Sequence, residues 1–147
     1  MPRDDFRCAH ELRVRWAEVD MQKIVFNGHY LTYIDTAVAE YWRAIGLPYP
    51  EGYVERFGND VYLRKATVEY LGSARYDDLL SIYTRVSRLG RTSMTFQFEI
   101  YRENHEASLV TAELVYVNAD PKTMKAAPLP ADLRSRVQDY EKVKPLA

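Results

Sequence analysis

A chain of 147 residues is the size of one domain around a single buried core, so one domain over residues 1–147 and one functional site are expected. Its 20 Lys and Arg stand against 21 Asp and Glu, a balance that gives no support for a general nucleic-acid or membrane-surface binder. Any anionic ligand must then be held by a local basic cluster.

In chain order, His10, Leu12, Val14 and Trp16 alternate with Glu11, Arg13 and Arg15, the period-2 pattern of a half-buried strand, which is predicted over 10–18. From Tyr30 the period changes. Tyr30, Leu31, Ile34, Ala37, Val38, Tyr41, Trp42 and Ile45 recur at three and four, placing them on one side of a helix over 28–45. Asn27 is the expected cap at its start, and Gly46 followed by Pro48 ends it. Four strand-like runs follow, at 60–71, 79–89, 92–102 and 107–118. The separators Tyr76-Asp77-Asp78, Leu89-Gly90-Arg91 and Glu103-Asn104-His105 are turn-like, so an antiparallel meander is predicted. A short charged helix is predicted over 131–142. A strongly apolar helix with one antiparallel sheet available must pack on one face of it, and the sheet curls round the helix as it twists, giving an α+β domain. The 12 tyrosines suit strands and half-wet subunit contacts, so a homo-oligomer is expected.

The segment from Arg15 to Tyr30 joins strand to helix and holds Glu18, Asp20, Asn27 and His29 within twelve residues. Backbone N–H groups at 27–30 would be unpaired at the helix start, a ready site for an oxyanion, and Gly28 would let a ligand approach that backbone closely. A carboxylate beside them can attack a carbonyl or draw a proton from water. By itself this is a weak signal, because an acid ahead of a helix is more often a turn or cap residue.

The run Asp20-x-x-x-Ile24-Val25-Phe26-x-x-x-Tyr30 at a strand-to-helix junction, followed by one helix and four strands, resembles the 4-hydroxybenzoyl-CoA thioesterase-like family of hotdog acyl-CoA thioesterases over residues 10–118. The resemblance implies a hotdog fold, with a five-stranded antiparallel sheet wrapped around one long helix. It implies hydrolysis of a fatty-acyl or aryl-CoA to free acid and CoA, with Asp20 as nucleophile or general base, and no cofactor. The N–H that polarises the thioester carbonyl falls on Asn27, with Gly28 next to it. The family's diphosphate contacts lie near the hairpin that carries Arg88 and Arg91, which become the CoA-binding candidates ahead of Arg75. A homodimer or homotetramer is implied, since a monomer would leave the site half built. Val19 and Lys23 depart from the family pattern, which has Thr or Cys before the Asp and Gly three residues after it. Lys23 thus replaces a residue suited to a positive φ.

Around this core the candidates divide. His29 can hydrogen-bond a substrate or assist Asp20, or be a wet residue of the first helical turn. Tyr30 belongs to the motif and is a candidate substrate contact. Glu18, in the run where strand alternation is expected, reads as a solvated or interface charge. No Gly-x-Ser-x-Gly elbow and no His-Glu-x-x-His occurs, and His10, His29 and His105 do not cluster, so neither an α/β-hydrolase route nor a metal is expected. The lone Cys8 excludes an internal disulfide and is the usage of a reducing compartment, so cytoplasm is expected. The charged start Met1-Pro2-Arg3-Asp4-Asp5 does not read as a secretory signal, and no membrane span is seen. Two further readings stay open: a non-catalytic acyl-CoA or acyl-carrier-protein binding module, and a hotdog hydratase acting on an enoyl thioester.

Overall fold

The computed structural model describes residues 1–147. Five strands, β1 (Cys8–Arg13), β2 (Asp60–Tyr70), β3 (Leu79–Leu89), β4 (Ser93–Arg102) and β5 (Ser108–Ala119), form one antiparallel sheet in the order β1-β3-β4-β5-β2. Helix α1 (His29–Ala44) lies against one face of it, and helix α2 (Ala131–Tyr140) follows the last strand. This is the expected hotdog arrangement.

Period-2 patterning sets which face the helix sees. Met94, Phe96, Phe98 and Ile100 of β4 are all 0% exposed, while Thr95 and Gln97 between them face outward and are half-buried. From α1, Tyr30, Tyr33, Ile34, Ala37, Val38, Tyr41 and Trp42 enter the same core, the three-and-four spacing of one helix face. Aromatic edges fix the packing: Tyr41 meets Phe96 at 5.3 Å and Trp42 meets Tyr53 at 5.1 Å between ring centroids.

Three expectations are corrected. The first strand ends at Arg13 instead of reaching 18. Trp16–Glu18 is a 3-10 turn and Trp16 is 75% exposed. The alternation continues past the strand, but Glu18 accepts the Arg15 N–H and turns the chain. The meander holds only for β3-β4-β5. β2 pairs with β5 on the far edge, so residues 71–78 form a crossover and not a hairpin. Asn27 does not cap α1 either: Gly28 occupies the cap position without a side-chain bond, and the start is closed by the His29 N–H donating to the Phe26 carbonyl at 2.9 Å.

The outer edge of β3 is covered in two parts. β1 pairs with Leu79 to Thr84, and beyond it the C-terminal segment lies parallel, with Leu146 bridging Arg88. Between the two parts, the buried Glu141 carboxylate accepts the Val86 N–H at 2.9 Å and the Tyr41 hydroxyl at 2.6 Å. β2 has no partner on its other side.

Candidate active site

The site is built on the loop between β1 and α1. Val14 and residues 77–78 exchange backbone hydrogen bonds that anchor the loop's first leg. Val19 and Val25 then form an isolated antiparallel bridge, and between them the chain reverses: the Asp20 N–H donates to the Ile24 carbonyl and the Lys23 N–H to the Asp20 carbonyl, both at 2.9 Å. Lys23 takes φ 66° in this turn, the left-handed conformation for which glycine is the usual residue. The return leg is tied to the crossover by Val25 N–H to the Ala74 carbonyl at 2.9 Å, and to the outgoing leg by Phe26 N–H to the Glu18 carbonyl at 3.0 Å.

Asp20 sits at the tip of this tie. One carboxylate oxygen, Oδ1, accepts the Gln22 N–H at 2.8 Å, which fixes the side chain and leaves Oδ2 without a protein donor. Two clefts open on it. One, of about 290 Å³, is lined by Gln22, Asn27, Tyr30, Tyr70 and Ser73 with Asp20. The other, of about 610 Å³, is apolar and walled by Trp16, Met21 and Tyr76 with Lys23 beside Asp20.

The helix start is narrower as a donor site than four consecutive N–H groups. His29 and Tyr30 spend theirs on the carbonyls of Phe26 and Asn27, whereas the N–H groups of Asn27 and Gly28 have no partner in the chain. Both residues are exposed. Gly28 has ordinary helical angles, φ −65° and ψ −24°, and a Cβ there would meet the Phe26 ring at 3.0 Å. The space that glycine leaves is therefore filled by Phe26.

Glu18, expected on a solvated face, is 7% exposed. Its carboxylate accepts the Arg15 N–H at 2.8 Å, the Arg15 guanidinium at 2.9 and 3.0 Å, and the Tyr33 hydroxyl at 2.8 Å. Burial pushes the carboxyl up, but these donors together outweigh it and hold Glu18 below the usual carboxylate range. Through Tyr33 the loop is fastened to α1. The reading of Glu18 as solvated failed because it assumed a strand; a Glu three residues after Arg15 is the spacing of a capping box, and that signal was in the sequence.

Tyr30 is 2% exposed, with its hydroxyl accepting the Ala74 N–H at 2.9 Å and its ring edge-on to Tyr33 and Tyr70, so it forms the wall of the smaller cleft. The His29 ring lies against Phe26 at 5.8 Å. Arg88 and Arg91 are exposed at the other end of β3, about 30 Å along the strand from the end beside the loop. A single chain therefore does not bring them to its own Asp20. Lys23 and Arg75 are the nearer cations, the first in the apolar cleft and the second adjoining Ala74.

The model of the Thioesterase superfamily matches residues 22–108, beginning just past Asp20. The acyl-CoA thioester hydrolase YbgC of Escherichia coli is 32% identical over 123 residues, covering 83% of this chain and 89% of that protein. A hypothetical protein from Aquifex aeolicus superposes with a TM-score of 0.79 at 25% identity, covering 88% of this chain and 98% of that one. The 1,4-dihydroxy-2-naphthoyl-CoA thioesterase of Synechocystis has the same fold, with a TM-score of 0.81 at 19% identity over 90% of this chain and 96% of its own. In sequence and in fold, the chain belongs to the thioesterase superfamily.

Proposed function

We propose that the chain hydrolyses an acyl-CoA thioester to the free acid and CoA at Asp20. The observation that carries this is a cleft lined by both a half-exposed carboxylate, held by one oxygen, and Asn27, whose N–H is unpartnered like that of the adjoining Gly28. The thioester carbonyl oxygen accepts from these N–H groups, which are in place before negative charge develops and need no reorganisation. Asp20 then adds to the carbonyl carbon, or takes a proton from a water that adds there. Collapse of the tetrahedral intermediate breaks the C–S bond and releases the CoA thiolate, which takes a proton from water. In the first route a second water cleaves the acyl-aspartyl anhydride and restores the carboxylate. Single turnover in oxygen-18 water separates the routes, because only the first places label in the Asp20 carboxylate.

The site is proposed to be completed by a second copy. Tyr70 and Gly72, which line the smaller cleft, stand at the end of β2, whose outer edge is free, so a copy pairing along that edge borders the site. Arg88 and Arg91 would then bind CoA phosphates only for the Asp20 of another copy. His29, half-buried at the start of α1 with its ring against Phe26, is proposed as a substrate contact. Cytoplasm is the compartment that suits the single unpaired cysteine. No helix is long and apolar enough to cross a membrane.

Incubation with a panel of acyl-CoAs and a thiol reagent tests the assignment. Asp20→Asn is expected to lower kcat by about a hundred- to ten-thousandfold with KM nearly unchanged. Release by the native chain no faster than by this variant, for every acyl type, would overturn it.

A further inference from the structure

A surface hairpin is ordinarily held by its own turn, and the one between β3 and β4 has that bond, Gly90 N–H to the Ser93 carbonyl at 2.8 Å. It is also tied down from outside. The Leu129 N–H donates to the Arg91 carbonyl at 2.9 Å, and the Arg134 guanidinium reaches the carbonyls of both Gly90 and Arg91. On the β3 side Leu146 brackets Arg88, donating to the Ser87 carbonyl and accepting the Leu89 N–H, both at 2.9 Å. All of these ties come from residues that follow β5, and all fall on the backbone around Arg88 and Arg91.

The ties brace a place where the strand changes phase. Leu80, Ile82, Thr84 and Val86 are buried on the core face of β3, and continued alternation would bury Arg88 next. Instead the register of β3 on β4 slips between Val86 and Arg88. Ser87 is thus an extra residue, Arg88 turns outward, and Leu89 goes in at 4% exposed. Leu146 holds both flanks of that bulge. Arg134 in turn differs from its neighbour on α2: Arg136 pairs with Asp132 at 3.1 Å, whereas Arg134 has no carboxylate partner and gives its guanidinium to the turn. Arg88 and Arg91 are exposed and likewise form no ion pair. The hairpin tip therefore carries uncompensated positive charge on a braced backbone.

Resting on the thioesterase reading and on Arg88 and Arg91 as its phosphate contacts, we infer that Arg134 and Leu146 are positioning residues of the CoA site. They hold the hairpin so that its two guanidinium groups are set for the CoA phosphates before CoA arrives. A guanidinium on a loose turn must be ordered when the phosphate binds, and that ordering subtracts from affinity; on a braced turn the backbone is already in place. The effect belongs to phosphate binding and not to bond breaking, because Arg88 lies at the opposite end of β3 from the Asp20 loop.

Two substrates that differ only in the phosphates test this: the acyl-CoA hydrolysed fastest, and the N-acetylcysteamine thioester of the same acid, which has the thioester but no phosphate. Arg134→Leu is expected to raise KM for the CoA ester by about five- to twentyfold with kcat unchanged, and to leave the N-acetylcysteamine ester unaffected. Deleting residues 145–147 removes the Leu146 ties and no cationic side chain, and is expected to raise the same KM by about two- to fivefold. Arg91→Ala is the reference, since it removes a phosphate contact itself. If Arg91→Ala raises KM for the CoA ester and neither of the other variants does, the phosphate contact stands and the positioning role is overturned. An effect of Arg134→Leu without one of the deletion makes Arg134 a direct phosphate ligand and also overturns it. Equal losses on both esters show a purely structural role, and no effect of any variant removes the hairpin from the CoA site; either result overturns the inference. Calorimetric binding of free CoA reads the same contacts without turnover. If no ester is hydrolysed but CoA binds, and Arg134→Leu and the deletion both weaken that binding, the catalytic reading fails and the positioning role stands.

Discussion

Lys23 holds φ 66° in the turn that carries Asp20, a conformation that costs an L-residue about 1 kcal/mol or more relative to glycine. Lys23→Gly is therefore expected to leave the fold unchanged and raise stability by up to about 1 kcal/mol, less what the freer unfolded chain regains, as read from the urea midpoint. The residue before Asp20 has no such backbone demand, since Val19 sits in extended conformation and bridges Val25. Two buried carboxyls give opposite pH signatures. Glu18 is held below its ordinary range, so its contribution is present above the unfolded value and is lost as pH falls through the folded one. Glu141 is pushed up, chiefly by burial, against the hydrogen bonds from Tyr41 and Val86. Between its unfolded and folded values the unfolded chain binds fewer protons, so this group makes stability fall as pH rises. Comparing Glu141→Gln with the native chain by thermal unfolding should show the variant gaining relative stability from pH 4 to pH 8. A gap that is flat or narrows with pH would contradict the assignment.

At the scale of elements, the segment after α2 acts as a second half of the edge strand. Leu146 donates to Ser87 and accepts from Leu89, both at 2.9 Å, and Glu141 fills the gap before it. Deleting residues 141–147 orphans the Val86 N–H and the Tyr41 hydroxyl in the core, and a loss of at least about 2 kcal/mol in denaturant unfolding is expected. Nothing in the sequence pointed to this, because a lone apolar residue behind Pro145 has no periodicity and the partner of Glu141 lies 100 residues away. The elements with unbroken patterns were legible: α1 was expected over 28–45 and spans His29–Ala44, and β3 matches its expected range. The order of strands was not legible. The turn signal at Tyr76-Asp77-Asp78 marks where a strand begins and says nothing about its neighbour, so β2 was placed beside β3 when it pairs with β5. Asp20 and the helix start were visible as residue types. That His29 and Tyr30 spend their N–H groups in the entry turn depends on backbone geometry, which no motif encodes.

For the whole molecule, an 11-residue edge strand with Leu63 51% and Tyr70 50% exposed is a template for pairing. If a second copy covers it, Leu63→Glu should shift sedimentation toward the monomer and lower kcat/KM together, because the cleft beside Asp20 loses its neighbour. A monomeric variant with full activity would show the site to be complete in one chain. The opposite edge has a different use. Cys8 begins β1, is 7% exposed, and its thiol is pushed up by burial against Tyr140, so it resists the reagents that count released CoA. The same burial makes it a clock. Cys8 can be labelled only when β1 lifts from β3 and α2, so under excess reagent its modification rate measures how often that edge opens, and a denaturant series shows whether it opens alone or with the whole molecule.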